Sequence, residues 1–112
     1  AKFYVEPKPR IFLAQLGDLA KKKSLRLFAE LQKNGILAAE SFGRGSLKSQ
    51  LRVADKLGVE ITLIVGQKEA LDGTVIIKDM VSGTQETVSN EKIVNMVRKL
   101  LKNNNVVVSH NS

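Results

Sequence analysis

The chain has no cysteine and no tryptophan, and only one histidine, two prolines, one tyrosine and four phenylalanines among its 112 residues. Without cysteine there are no disulfides, no thiolate metal sites and no thiol nucleophile, and the absence suits a reducing compartment, for which the cytoplasm is the expectation. No apolar run approaches the roughly 20 residues of a membrane-spanning helix, so no membrane partner is expected. The opening Ala1-Lys2-Phe3-Tyr4-Val5-Glu6-Pro7 sets an acid and a proline where a secretory signal needs an apolar stretch. His110 stands in a terminal segment without periodicity and reads as a solvated residue, not a base or a metal ligand. Asp18, Asp55, Asp72 and Asp79 are each accounted for by a cap, a helix face or a turn, and no two form an acid/base motif. The inventory therefore argues against a catalytic residue, a metal site or a resident cofactor.

What is present is positive charge. Eighteen Lys and Arg against eleven Asp and Glu leave +7, which attracts polyanions at long range, although plain soluble proteins share such a balance. The length suits one domain with one core.

The patterning predicts alternating strands and helices. Residues 10–15 form a short apolar run before Gly17, followed by a helix from Asp18 to Asn34 with Ala20, Leu27, Phe28 and Leu31 on one face. A second strand over 36–42 leads through Gly43-Arg44-Gly45 into a helix opened by Ser46, with Leu47, Leu51, Ala54 and Leu57 as its apolar stripe and Gly58 as its stop. Residues 60–66 are a third, mostly β-branched strand, and Gln67 to Leu71 a helical turn. Residues 74–80 and 84–88 flank a Ser82-Gly83 hairpin turn, and Ser89 caps a final helix that buries Ile93, Met96, Val97, Leu100 and Leu101. This order implies a parallel core with an antiparallel addition, hence a mixed sheet with helices on both faces. Residues 1–9 read as a leader, 10–102 as the domain and 103–112 as a flexible tail.

Two surfaces invite a functional reading. Gly43-Arg44-Gly45-Ser46-Leu47-Lys48 lies between a strand and a helix, as phosphate loops do, yet Lys48 stands where a dinucleotide loop needs a third glycine and the Gly-Lys-Ser/Thr ending of a P-loop is absent. The helix amides, Arg44 and Lys48 would still suit a backbone phosphate. The second surface is Gly66-Gln67-Lys68-Glu69 with Lys78, polar groups at a sheet end. A receiver domain would need acids after strand 1, where Gln15-Leu16-Gly17 stands, and an RNA-recognition motif would need aromatics on a central strand, where Ile61 to Val65 has none.

Four blocks in order, Ile11-Phe-Leu-Ala-Gln-Leu-Gly17, Ser46-Leu-Lys-Ser-Gln-Leu through Gly58, Leu63-Ile-Val-Gly-Gln-Lys-Glu69 and Gly73-Thr-Val-Ile-Ile-Lys-Asp-Met80 through Gln85, resemble the C-terminal anticodon-binding domain of histidyl-tRNA synthetases. The resemblance implies a three-layer α/β fold, a five-stranded mixed sheet flanked by three helices, that grips the histidine anticodon stem-loop of a tRNA. It implies contacts from Glu69, Lys78 and Gln67 near the bases, from Arg44 at the anticodon loop, and from Ser46, Lys48 and Gln50. Glu, Gln, Arg and Lys supply the donors and acceptors that splayed bases require. ATP and magnesium would belong to a separate class II catalytic domain of a homodimeric ligase, the isolated domain being a monomer. The alternative is a regulatory protein-interaction domain that reuses the fold without tRNA specificity.

Overall fold

The computed structural model describes residues 8–41 and 45–110, the last six as backbone only. In chain order the elements are β1 (Ile11–Gln15), α1 (Asp18–Lys33), β2 (Ala38–Glu40), α2 (Leu47–Leu57), β3 (Ile61–Val65), α3 (Gln67–Asp72), β4 (Thr74–Asp79), β5 (Gln85–Ser89), a 3-10 turn (Asn90–Lys92) and α4 (Ile93–His110). The sheet runs β2-β1-β3-β4-β5. β1 is parallel to β2 and β3, while β4 is antiparallel to β3 and β5. The expected mixed sheet is therefore present, with short α3 as a fourth helix.

β1 and β3 are apolar except at Gln15 and Thr62 because both of their faces are covered, and all five residues of each are buried. Side chains alternate between the layers. Ile11, Leu13, Ile61, Leu63, Val75, Ile77 and Val88 meet Ala20, Leu27 and Leu31 of α1 and Ile93 and Val97 of α4. Phe12, Ala14 and Ile64 meet Ala54 of α2 and Val59 on the other face. Burying such side chains contributes roughly 1.5–3 kcal/mol each, which offsets the chain entropy that the order costs.

Several expectations are refined. β2 is three residues long and pairs only with Ile11 to Leu13. Leu57, expected in the buried stripe of α2, is 46% exposed, and the buried residues of that helix are Gln50 and Ala54. Ser89 precedes the 3-10 turn without a side-chain cap. Residues 103–110, expected in a loose tail, continue α4, and residues 111–112 lie outside the described residues.

That continuation has a polar anchor. Arg10 engages Glu60 in a forked ion pair through Nε and Nη2, the second contact at 2.8 Å. Arg10 Nη2 also donates to the Leu101 carbonyl at 3.3 Å, and Asn104 Nδ2 donates to Glu60 Oε1 at 2.9 Å. The entry ends of β1 and β3 are thus tied to α4. Arg10's hydrogen bonds hold the Glu60 carboxyl below its usual range against the opposing effect of burial. A depressed carboxyl contributes stability above its ordinary pKa and loses it as pH falls through the depressed value. Glu60→Gln should lower stability at pH 7 by about 1 kcal/mol, since the pair is partly solvated. Thermal melts should show the gap to the parent chain closing in acid; a gap that widens there contradicts the assignment.

Candidate nucleic-acid interface

At the exit ends of the parallel strands lie Leu16-Gly17 after β1, the described Gly45-Ser46 before α2, and Gly66 before α3. Gly17 has φ 98°, and a Cβ there would stand 3.1 Å from Gln67 Oε1. The first and third connections therefore touch, and only glycine combines that conformation with that approach.

Gln50 reaches this edge from inside. Its Oε1 accepts from the Gln15 backbone N–H at 2.9 Å, and its Nε2 donates to the Gln15 carbonyl at 2.7 Å and to the Gly45 carbonyl at 3.1 Å. Leu16 N–H, one residue on, donates to Val65 of β3, so the Gln15 peptide groups face the β2 side of β1, where β2 has already ended. The side-chain amide replaces the missing rung of the ladder. Gln50 is 1% exposed with its amide engaged by backbone, which removes it from the surface contacts expected of it.

The other predicted residues divide. Lys48 and Gln67 are exposed, on the first turns of α2 and α3. Ser46 is exposed, but its Oγ accepts from the Ser49 N–H at 3.1 Å and donates to Ser49 Oγ, so it caps α2 as expected. Glu69 is half-buried and accepts from the Gly66 N–H at 2.9 Å through Oε1, a local cap. Lys78 does not join them at the sheet end. It pairs with Thr62, three residues before Val65, which sets it about 10 Å back along the strand. Arg44 lies outside the described residues.

Lys78 belongs instead to a surface that the patterning did not bring out. Its cross-strand neighbour on β5 is Gln85, and Ile76 faces Thr87. These positions share the α2 side of the sheet, but β5 lies at the edge, and Gln85 and Thr87 are exposed. The period-2 alternation across the hairpin carried this signal. Among the described residues no group of three or more His, Cys, Asp or Glu is placed to hold a metal ion, and no helix is long and apolar enough to cross a membrane.

Unpaired acceptors gather near the same edge. Gln15 Oε1, Glu40 Oε2 and Ser41 Oγ are buried without a hydrogen-bond partner, and burial pushes the Glu40 carboxyl up. A raised carboxyl binds its proton more tightly in the folded chain, so folding loses stability as pH rises through the shifted value. Glu40→Gln should stabilise the chain at pH 7 by up to about 1 kcal/mol, and the gain should vanish in acid; a destabilised variant at pH 7 refutes this. Gln50→Glu is nearly isosteric but aims an oxygen at two carbonyls. Denaturant unfolding should show a loss of about 3 kcal/mol or more, and a loss below about 1 kcal/mol would deny Gln50 its structural role.

The mixed α/β sheet with two connections converging beside a splinted strand end defines a class, and sequence comparison defines the family. Residues 11–100 match the family model of the anticodon binding domain, and the chain belongs to that family. Over 87 residues it is 39% identical to the histidine–tRNA ligase of Nitratidesulfovibrio vulgaris, covering 78% of this chain and 21% of that one. It is 33% identical over 97 residues to the ligase of Acetivibrio thermocellus, covering 87% and 23%. The apo histidyl-tRNA synthetase of S. aureus superposes with a TM-score of 0.73 at 28% identity, over 82% of this chain and 27% of that one. The chain thus spans about a fifth to a quarter of the length of these relatives.

Proposed function

We propose that the chain is the noncatalytic anticodon-reading module of a histidine–tRNA ligase. The observation that carries this reading is the family match across residues 11–100, joined to relatives that are histidine–tRNA ligases and that this chain meets over a single portion of their length. Ligation of histidine, with its ATP and magnesium, is then the work of the remainder of the parent enzyme. Within the module, Lys48 and the α2 amides attract loop phosphates, while Gln67, Glu69 and Lys78 offer donors and acceptors to base edges. Arg44 joins the phosphate contacts. Ser46 serves by capping α2, and Gln50 by fixing the strand end from which the connections emerge.

The test is a titration at fixed salt with two RNA stem-loops, one carrying the histidine anticodon and one with the anticodon bases exchanged. The proposal expects tighter binding of the first by about tenfold. Lys48→Ala should weaken both by a similar factor, because phosphate contacts are blind to sequence. Glu69→Gln keeps an acceptor for the Gly66 amide, so the fold should survive while discrimination falls. Equal affinity of the parent chain for both loops would overturn anticodon reading and favour the protein-interaction alternative.

A further inference from the structure

The charge of this chain is distributed unevenly between the two faces of its sheet. α1 carries five Lys and Arg against Asp18 and Glu30, and residues 90–110 carry four against Glu91, so the α1–α4 layer holds six of the seven net positive charges. Eight of these nine cations are exposed, and Lys23 is half-buried. None is in an ion pair: the pairs among the described residues are Arg10–Glu60 and Lys68–Asp72. The layer covers the sheet face opposite α2 and therefore opposite Lys48 and Lys78.

Between the helices runs a groove of about 480 Å³, with Lys23, Arg26 and Arg98 on its walls beside Glu30 and Glu91 and with Leu27 and Val94 beneath. Arg98 Nη2 donates to the Asn34 carbonyl and to Asn34 Oδ1, each at 3.2 Å, which binds α4 to the end of α1 and makes the two helices one surface. Among the described side chains, Leu25 is the one large exposed apolar residue of this layer. Protein interfaces are built around apolar and aromatic centres and are depleted in Lys. Unpaired cations spread over about 24 Å of helix suit the regular phosphates of a nucleic-acid strand instead.

We propose that the α1–α4 layer is a second RNA surface, which takes the backbone phosphates of a duplex stem independently of sequence. It goes beyond anticodon reading and does not depend on it. The test uses the 112-residue chain and a 16-base-pair RNA duplex without a loop. Binding should be steeply salt-dependent. Lys22→Glu/Arg26→Glu/Lys99→Glu, all exposed and none contributing a structural hydrogen bond, should weaken it at least tenfold and flatten the log–log salt slope by about 2. The corresponding triple Ala variant should fall between, with unchanged melting temperature in both. Lys48→Ala with Lys78→Ala should leave duplex binding within about twofold. Duplex affinity unchanged in the charge-reversed chain would overturn the inference. So would a chain that ignores the duplex and binds a sixteen-residue oligoglutamate peptide through the same residues, which would make the partner an acidic protein. Duplex binding lost in the charge-reversed chain, with no anticodon preference in the parent chain, would support this inference while refuting the proposed function.

Discussion

The exit edge of the sheet depends on the Gln50 amide. β2 ends level with Leu13, so the Gln15 N–H and carbonyl on its side would be buried without partners, at a cost of about 1–3 kcal/mol each. Gln50 satisfies both and holds the Gly45 carbonyl with its remaining donor. One side chain thus completes β1, seats the first turns of α2 on the sheet and fixes the end of the connection that precedes it. Because three backbone groups converge on one amide, no other residue type of that size supplies the same pattern of one acceptor and two donors except an amide.

The two ends of the sheet are organised differently. At the entry end, Arg10, Glu60 and Asn104 form a charged clamp that engages β1, β3 and α4. At the exit end, Glu69 is turned back on Gly66, and three acceptors of Gln15, Glu40 and Ser41 are buried without donors. Under-satisfied groups beside a rigid scaffold are common where a protein meets a ligand. The exit end is nonetheless fixed by the Gln50 amide, and the imperfectly paired groups lie around that buried anchor.

Much of this was legible in the residues, and the gaps have definite causes. β1, β3 and the hairpin are readable because apolar runs bounded by glycine or a Ser82-Gly83 turn have few alternatives. The caps at Ser46 and Gly58 follow from local chemistry and are found where expected. Gln50, which the resemblance set among the tRNA contacts, is buried, and the shortness of β2 explains why a buried amide is needed there. Lys78 was grouped with Gln67 and Glu69 because the turn leaving β3 was expected to set them at a sheet end beside the next strand, whereas antiparallel register carries it back along β3. The helical continuation past Lys102 has no periodic signal, and its visible anchor is a contact to Glu60, distant in sequence.

Most of the net charge lies on the α1–α4 side of the sheet, while Lys48, Lys78, Gln85 and Thr87 lie on the α2 side. The most direct measurement is an amide chemical-shift titration of the labelled chain with the histidine anticodon stem-loop, at salt high enough to suppress diffuse phosphate contacts. The largest shifts are expected at Gly45, Ser46, Lys48, Gln67 and Glu69 and on the Lys78–Gln85 pair, with α1 and α4 nearly silent. Shifts confined to α1 and α4, with the exit edge unchanged, would contradict that expectation.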